Sequence, residues 1–253
     1  MLEQSDKSAV IVGLSEKIRA LESAQQTIGP SRLHNFRFAV PAIDEALASV
    51  QFPFPGHHEI HGKETEADFA VANAFVAFIA SKLSGGVLWC VGKSQLYAPA
   101  ISALGLSANK IHFFYARSDE VALAAMEEGL RYSSLGAVVG EVKRLSLNSS
   151  RRLILASEKS GVPAFTLRPP IAKRKHEQVA CGSRWQLSSA PAGPLPVAGV
   201  GRSRWRVELL RCRGNRLGEW LVEANASAGH FNLSAAMASR NEAAQARARQ
   251  QTA

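Results

Sequence analysis

Apolar positions change their period several times along the chain, and each change marks an element. Ile11, Leu14, Ile18 and Leu21 recur at alternating spacings of three and four. This predicts an amphipathic helix over 7–26, ended by Gly29 and Pro30. A single stripe on so short a helix suits packing on its own domain or on a partner helix rather than a long coiled coil. From Pro41 onward helical and strand patterns alternate. Helices are expected over 41–49, 65–83, 97–104, 119–132 and 148–160, and strands over 58–61, 87–91, 111–115, 137–140 and 163–167. The run Val87 to Val91 is apolar throughout, as in a strand covered on both faces. Strands separated by helices of this length imply right-handed crossovers and a mostly parallel sheet, so the first two thirds reads as an α/β layered domain.

After Leu167 the pattern is different. Residues 168–182 (RPPIAKRKHEQVACG) read as an exposed basic loop, 183–190 as a strand, and 190–201 (APAGPLPVAGVG) as a Pro/Gly/Ala-rich connection. Residues 205–213, 220–224 and 230–233 read as antiparallel strands, joined by turns at Gly214–Asn215 and Ala228–Gly229. The stretch 234–253 is rich in Ala, Arg and Gln with almost no apolar face, which predicts a frayed helix or a disordered tail. The expected organisation is therefore an N-terminal helix (1–29), an α/β core (30–168), a basic loop (169–182), a β-rich part of the core (183–233) and a tail (234–253).

Composition adds one asymmetry. The 253 residues are 46% hydrophobic and 20% charged, enough to bury a sizeable core. The net charge of +9 is unevenly spread. Residues 1–140 hold 11 basic and 14 acidic side chains, a net of −3, whereas 141–253 hold 19 and 7, a net of +12. A step of this size suggests a polyanion or an acidic partner for the C-terminal region, although a solvated basic surface would give the same count. The longest apolar stretch, 69–80, is about 12 residues, short of the ~20 that a membrane span needs. The start MLEQSDKSAV has no basic-then-apolar run of a secretory signal. Cys90, Cys181 and Cys212 are odd in number, far apart and without CxxC spacing. They fit reduced cytosolic thiols rather than a disulfide framework or a zinc site.

Known catalytic patterns are missing where they would be sought. A strand, a Gly-containing turn and a helix at Glu59–Phe69 (EIHGKETEADF) invite comparison with the phosphate loop G-x-x-x-x-G-K-[ST]. Counted from Gly62, the second glycine is replaced by Ala67, the lysine by Asp68 and the hydroxyl residue by Phe69. Asp68 would put a carboxylate where triphosphate charge must sit, and like charges at 4 Å repel by about 4 kcal/mol at an effective dielectric of 20. Phe69 offers no oxygen to Mg²⁺, and Lys63 is a lone lysine in a turn. The acid expected at the end of the strand 137–140 is also displaced: Gly140 holds the position and Glu141 follows it, on the opposite strand face. His57, His58 and His61 cluster, but alternation puts only His57 and His61 on one face, with no third metal ligand. No GxSxG, HExxH or Cys-His grouping occurs, and Ser149 and Ser150 read as a helix start. No cofactor, metal or catalytic residue is therefore expected.

Binding chemistry remains. Lys173, Arg174 and Lys175 lie in the loop after the last sheet strand. Arg202, Arg204 and Arg206 alternate along one strand face, so these six are the candidate DNA contacts, able to track phosphates. Arg211, Arg213 and Arg216, with the stripe Ile11, Leu14, Ile18 and Leu21, are the candidate partner contacts. Trp185, Trp205 or His176 could add base stacking, although tryptophans at such positions are more often core anchors.

Several segments together resemble the inducible mutagenesis protein A (ImuA) family. They are IDEAL at 43–47, FPGHHEIHG at 54–62, GGVLW at 85–89, LYAPAISALGL at 96–106, GAVVGEVKRLSL at 136–147, SRRLILASE at 150–158 and RWRVELLRCRGNRLGEW at 204–220. The resemblance spans about 2–233. It implies a RecA-like sheet with a degenerate nucleotide site, and a non-catalytic accessory role in damage-induced (SOS) mutagenesis and translesion synthesis in the cytoplasm. The implied partners are a catalytically inactive Y-family polymerase relative (ImuB), an error-prone C-family polymerase, RecA itself and DNA. By position, the loop 168–182 matches the DNA-contacting loop of RecA-like proteins. A division inhibitor resembling the SulA family and a RecA-like ATPase with an atypical site are the rival readings.

Overall fold

The computed structural model describes residue 13 and residues 36–48, 52–92, 96–170, 178–192, 201–213, 217–227 and 230–237. Ile11, Leu14, Ile18 and Leu21, the basic Lys173, Arg174 and Lys175 with His176, and Arg216 lie outside the described residues, as do both predicted turns.

The described elements follow the expected alternation. They are α1 (Pro41–Leu47), β1 (His57–Gly62), α2 (Glu66–Ser81), β2 (Gly86–Val91), α3 (Ala98–Ala103), β3 (Ile111–Tyr115), α4 (Asp119–Gly129), β4 (Leu135–Glu141), α5 (Leu147–Ser160) and β5 (Ala164–Arg168). The strands β6 (Ser183–Ala190), β7 (Arg204–Cys212), β8 (Gly218–Ser227) and β9 (His230–Met237) follow. All nine strands join one sheet in the order β3-β2-β4-β5-β1-β6-β7-β8-β9. From β3 to β6 every pair is parallel, and β6 to β9 continue as antiparallel neighbours. This is the α/β architecture expected, and it agrees with a RecA-like sheet.

Two helix starts illustrate how sequence sets the boundaries. Thr65 caps α2 in a reciprocal capping box with Asp68. For α5 the cap is Ser146, whose hydroxyl accepts from the Ser149 N–H, so the start lies earlier than Ser149 and Ser150 suggested. Ser150 is instead fully buried; its hydroxyl donates to Leu147 O and accepts the Ala180 N–H. The C-terminal expectation also changes. Strand β9 continues to Met237, four residues into the stretch read as a tail, because a ladder to β8 needs backbone groups rather than an apolar face.

The sheet separates two apolar layers. On one face, α1, α2 and α3 cover residues such as Ile60, Val139, Phe165, Trp185, Val207 and Trp220. Phe38 and Phe75 stack at 5.5 Å, and Trp185 lies 5.3 Å from both Phe52 and Phe75. Helix α2 is apolar nearly all round because it sits inside this layer. On the other face α4 and α5 cover Leu88, Val138 and Ala164. All four tryptophans are buried, including Trp185 (0% exposed) and Trp205 (5%), so they anchor the core rather than stack on bases. Among the described residues, no helix is long and apolar enough to cross a membrane.

Candidate functional site

The turn from β1 into α2 is where a phosphate loop would lie, and it is short. Helix α2 already begins at Glu66, so only Lys63, Glu64 and Thr65 separate it from Gly62. The Ala67 and Asp68 positions, which in a phosphate loop belong to the cradle and its lysine, fall in the first helical turn. A side chain at Gly62 is excluded, since its Cβ would lie 2.7 Å from the backbone N and Cα of Phe69. Phe69 itself is 3% exposed in the core layer.

The anion position of this turn is filled by the chain itself. Asp68 Oδ2 accepts the N–H groups of Glu64 (3.1 Å) and Thr65 (3.0 Å). Asp68 Oδ1 accepts the Ser189 N–H (2.8 Å) and hydroxyl (3.2 Å) from β6. Burial alone would raise its pKa, but hydrogen bonds from Ser189, Thr65 and Glu64 outweigh that and hold it below its ordinary value. A fixed carboxylate therefore takes the amides that would otherwise face a phosphate. Sequence counting located the carboxylate; the reach of Ser189, more than a hundred residues away, had no local signal.

The displaced acid is explained by packing. Gly140 faces α4, where a Cβ would run into Met126 Sδ. Glu141, on the opposite strand face, is 5% exposed, and its Oε2 accepts the Gly92 N–H at 3.1 Å. It thus ties the ends of β2 and β4 together.

The histidine cluster is structural at two of its three positions. His57 Nδ1 donates to Ala180 O (2.8 Å), which leaves Nε2 to accept from the Thr166 hydroxyl (2.7 Å). His58 Nε2 donates to Phe54 O (2.8 Å) and Nδ1 accepts from Ser183 Oγ (2.7 Å). Burial lowers the pKa of both, that of His58 to about 3, so each is neutral at pH 7. His61 instead joins a charged group around Glu59: its Nε2 lies 3.2 Å from Glu59 Oε1, with Arg184 Nε 2.6 Å from Oε2 and Arg168 Nε 3.6 Å from Oε1. Burial opposes ionisation of Glu59, but His61 and the two guanidiniums prevail and bring its pKa down to about 2. Arg168 is fully buried. The exposed basic loop was expected to begin there, yet this residue closes β5 and pairs with β1; Val179 and Cys181 at the loop's far end are buried too.

The arginine stripe divides into two parts. Arg204 and Arg206 do share a face, and so do the acids of β8. Arg204 contacts Glu223 through Nε at 2.8 Å, Arg206 Nη1 pairs with Glu219, and Arg202 Nη1 stands 4.0 Å from Glu223. The charges of Arg204 and Arg206 are thus largely neutralised at home. The clue was in the sequence, since GEWLVE places Glu219 and Glu223 on one strand face opposite RWR. Arg213 Nη2 pairs with Glu158 (2.8 Å), and the guanidinium Cζ lies over the Phe54 ring at 4.8 Å. Arg211 is exposed and makes no ion pair among the described residues. Cys90, Cys181 and Cys212 are free and buried, with thiol pKa values raised by burial. Among the described residues no group of three His, Cys, Asp or Glu could hold a metal ion.

No protein-family model matches the chain. Protein ImuA of Caulobacter vibrioides strain NA1000 / CB15N is 35% identical over 206 residues, covering 76% of this chain and 84% of that protein. Protein ImuA of Caulobacter vibrioides strain ATCC 19089 / CIP 103742 / CB 15 matches to the same extent. With this identity sustained over most of both chains, and an α/β sheet of the kind the resemblance implied, the chain belongs to the ImuA family.

Proposed function

We propose that the protein is a non-catalytic accessory factor of damage-induced mutagenesis, acting by recruiting or regulating an error-prone translesion synthesis complex. The observation that carries the non-catalytic half is the Asp68 carboxylate seated on the Glu64 and Thr65 amides, which supports a fold used without nucleotide. Family membership supports the mutagenesis half. The partners under this reading are an inactive Y-family polymerase relative, a C-family polymerase and RecA. Direct DNA contact would fall to Lys173, Arg174 and Lys175 rather than to Arg204 and Arg206, whose charge Glu223 and Glu219 already share.

The test has two arms. Calorimetric titration with MgATP is expected to show no binding; binding that disappears on Glu141→Gln would overturn the non-catalytic reading. Reintroduction of the gene into a deletion strain is expected to restore damage-induced mutation frequency and to co-purify polymerase-complex partners. Capture of the tubulin-like division protein instead would establish the division-inhibitor reading. Reversal of Lys173, Arg174 and Lys175 to Glu is expected to weaken DNA binding severalfold and to flatten its salt dependence by up to about one unit of slope per lost phosphate contact.

A further inference from the structure

A β-bulge exposes a leucine where the sheet would otherwise hide or pair it. Across β6 and β7, Arg184 stands opposite Arg211 and Trp185 opposite Leu209, so Leu210 is an extra residue with no counterpart on β6. Leu210 is 42% exposed, while Trp205, Val207 and Leu209 on the same strand are buried. Leu217 is 56% exposed. The β7–β8 ladder ends at Leu209 opposite Gly218, so Leu210 and Leu217 each lie one step beyond the last pair, on the two arms of the hairpin end. Two large apolar side chains open to solvent at one end of a hairpin call for a partner surface.

The charge around them indicates its chemistry. Lower on the hairpin, Glu219 and Glu223 balance Arg206 and Arg204. At the end next to the leucines the balance is incomplete: Arg213 is paired with Glu158, but Arg211, which directly follows Leu210, is exposed and makes no ion pair among the described residues. We infer that this hairpin end is a docking surface for an acidic, leucine-bearing segment of a partner protein, with Leu210 and Leu217 as the apolar seat and Arg211 as the carboxylate contact. This partner chemistry rests on the accessory reading above. A nucleic-acid strand would use the arginine but leave the leucines exposed, so charge complementarity and apolar burial together favour a peptide.

The decisive probe is a short fluorescein-labelled peptide carrying leucines flanked by aspartates and glutamates, titrated with the full chain by fluorescence anisotropy. Three further probes accompany it: the peptide with its leucines replaced by serine, the peptide with its acids replaced by lysine, and a single-stranded oligonucleotide. Saturable binding of the first, weakened about tenfold or more in each altered peptide, is expected. Leu210→Ser with Leu217→Ser, and separately Arg211→Glu, are each expected to weaken it similarly while leaving the melting temperature unchanged, since all three side chains are exposed. Equal binding of the serine peptide, undiminished binding by both variants, or retention of the oligonucleotide alone would overturn the surface. A cellular arm separates this from the wider reading. If wild type and the double leucine variant restore mutation frequency equally, the surface is wrong and the accessory role stands. If wild type itself fails to restore it, the accessory role is wrong and the peptide titrations alone decide the surface.

Discussion

Asp68 shows how one side chain can serve as a helix cap and a cross-link between elements at once. It caps α2, holds Glu64 and Thr65, and binds β6 through Ser189. Asp68→Ala is expected to cost about 1–3 kcal/mol in urea unfolding, because it removes a cap and strands amide donors. Gly140 offers the complementary case. Restoring an acid there by Gly140→Asp forces an unpaired carboxylate into the apolar layer against Met126, and is expected to cost at least about 3 kcal/mol. A Gly140→Asp protein that melts like wild type would refute the packing account of that glycine.

At the scale of elements, the α/β alternation was legible because its cues are local. Apolar period, Thr65 before a helix and the buried run of β2 are each readable within a dozen residues. What escaped was contact across the sheet. Arg168 looked like the first residue of a basic loop because it precedes two prolines, but parallel pairing of β5 with β1 sets it beside Glu59. The arginine stripe looked free because its neutralising acids sit on another strand, where the register of β7 with β8 alone brings Glu223 opposite Arg204. This pair is partly exposed, so a double-mutant cycle on Arg204 and Glu223 is expected to give a coupling of only about 1 kcal/mol or less. Its main effect is to balance the Arg204 charge within the hairpin.

For the whole molecule, the strands after the basic loop are not an appendage. Trp205, Val207 and Trp220 lie in the same apolar layer as α2 and Trp185. Truncation after Ala190 is therefore expected to abolish cooperative unfolding, and a well-folded truncated protein would contradict the single sheet. The buried histidines make stability sensitive to acid. In the folded chain His57 and His58 titrate below their ordinary 6.5, so as pH falls the unfolded chain binds protons first. Stability is complete above about pH 6.5 and declines below it towards pH 3, joined below about pH 4.5 by the lowered carboxylates of Glu59 and Asp68. The urea midpoint measured from pH 7 down to pH 4 is expected to fall, and His58→Gln to flatten that fall.

The short turn between β1 and α2 also bears on reversibility. Removing Asp68 alone uncaps a helix without making room for phosphate, and lengthening the turn alone unwinds the helical turn that carries Asp68. An acid at Gly140 meets Met126 whichever change comes first. Each of these changes is thus expected to lower stability by itself. The contacts that fix this turn therefore also limit which substitutions it tolerates.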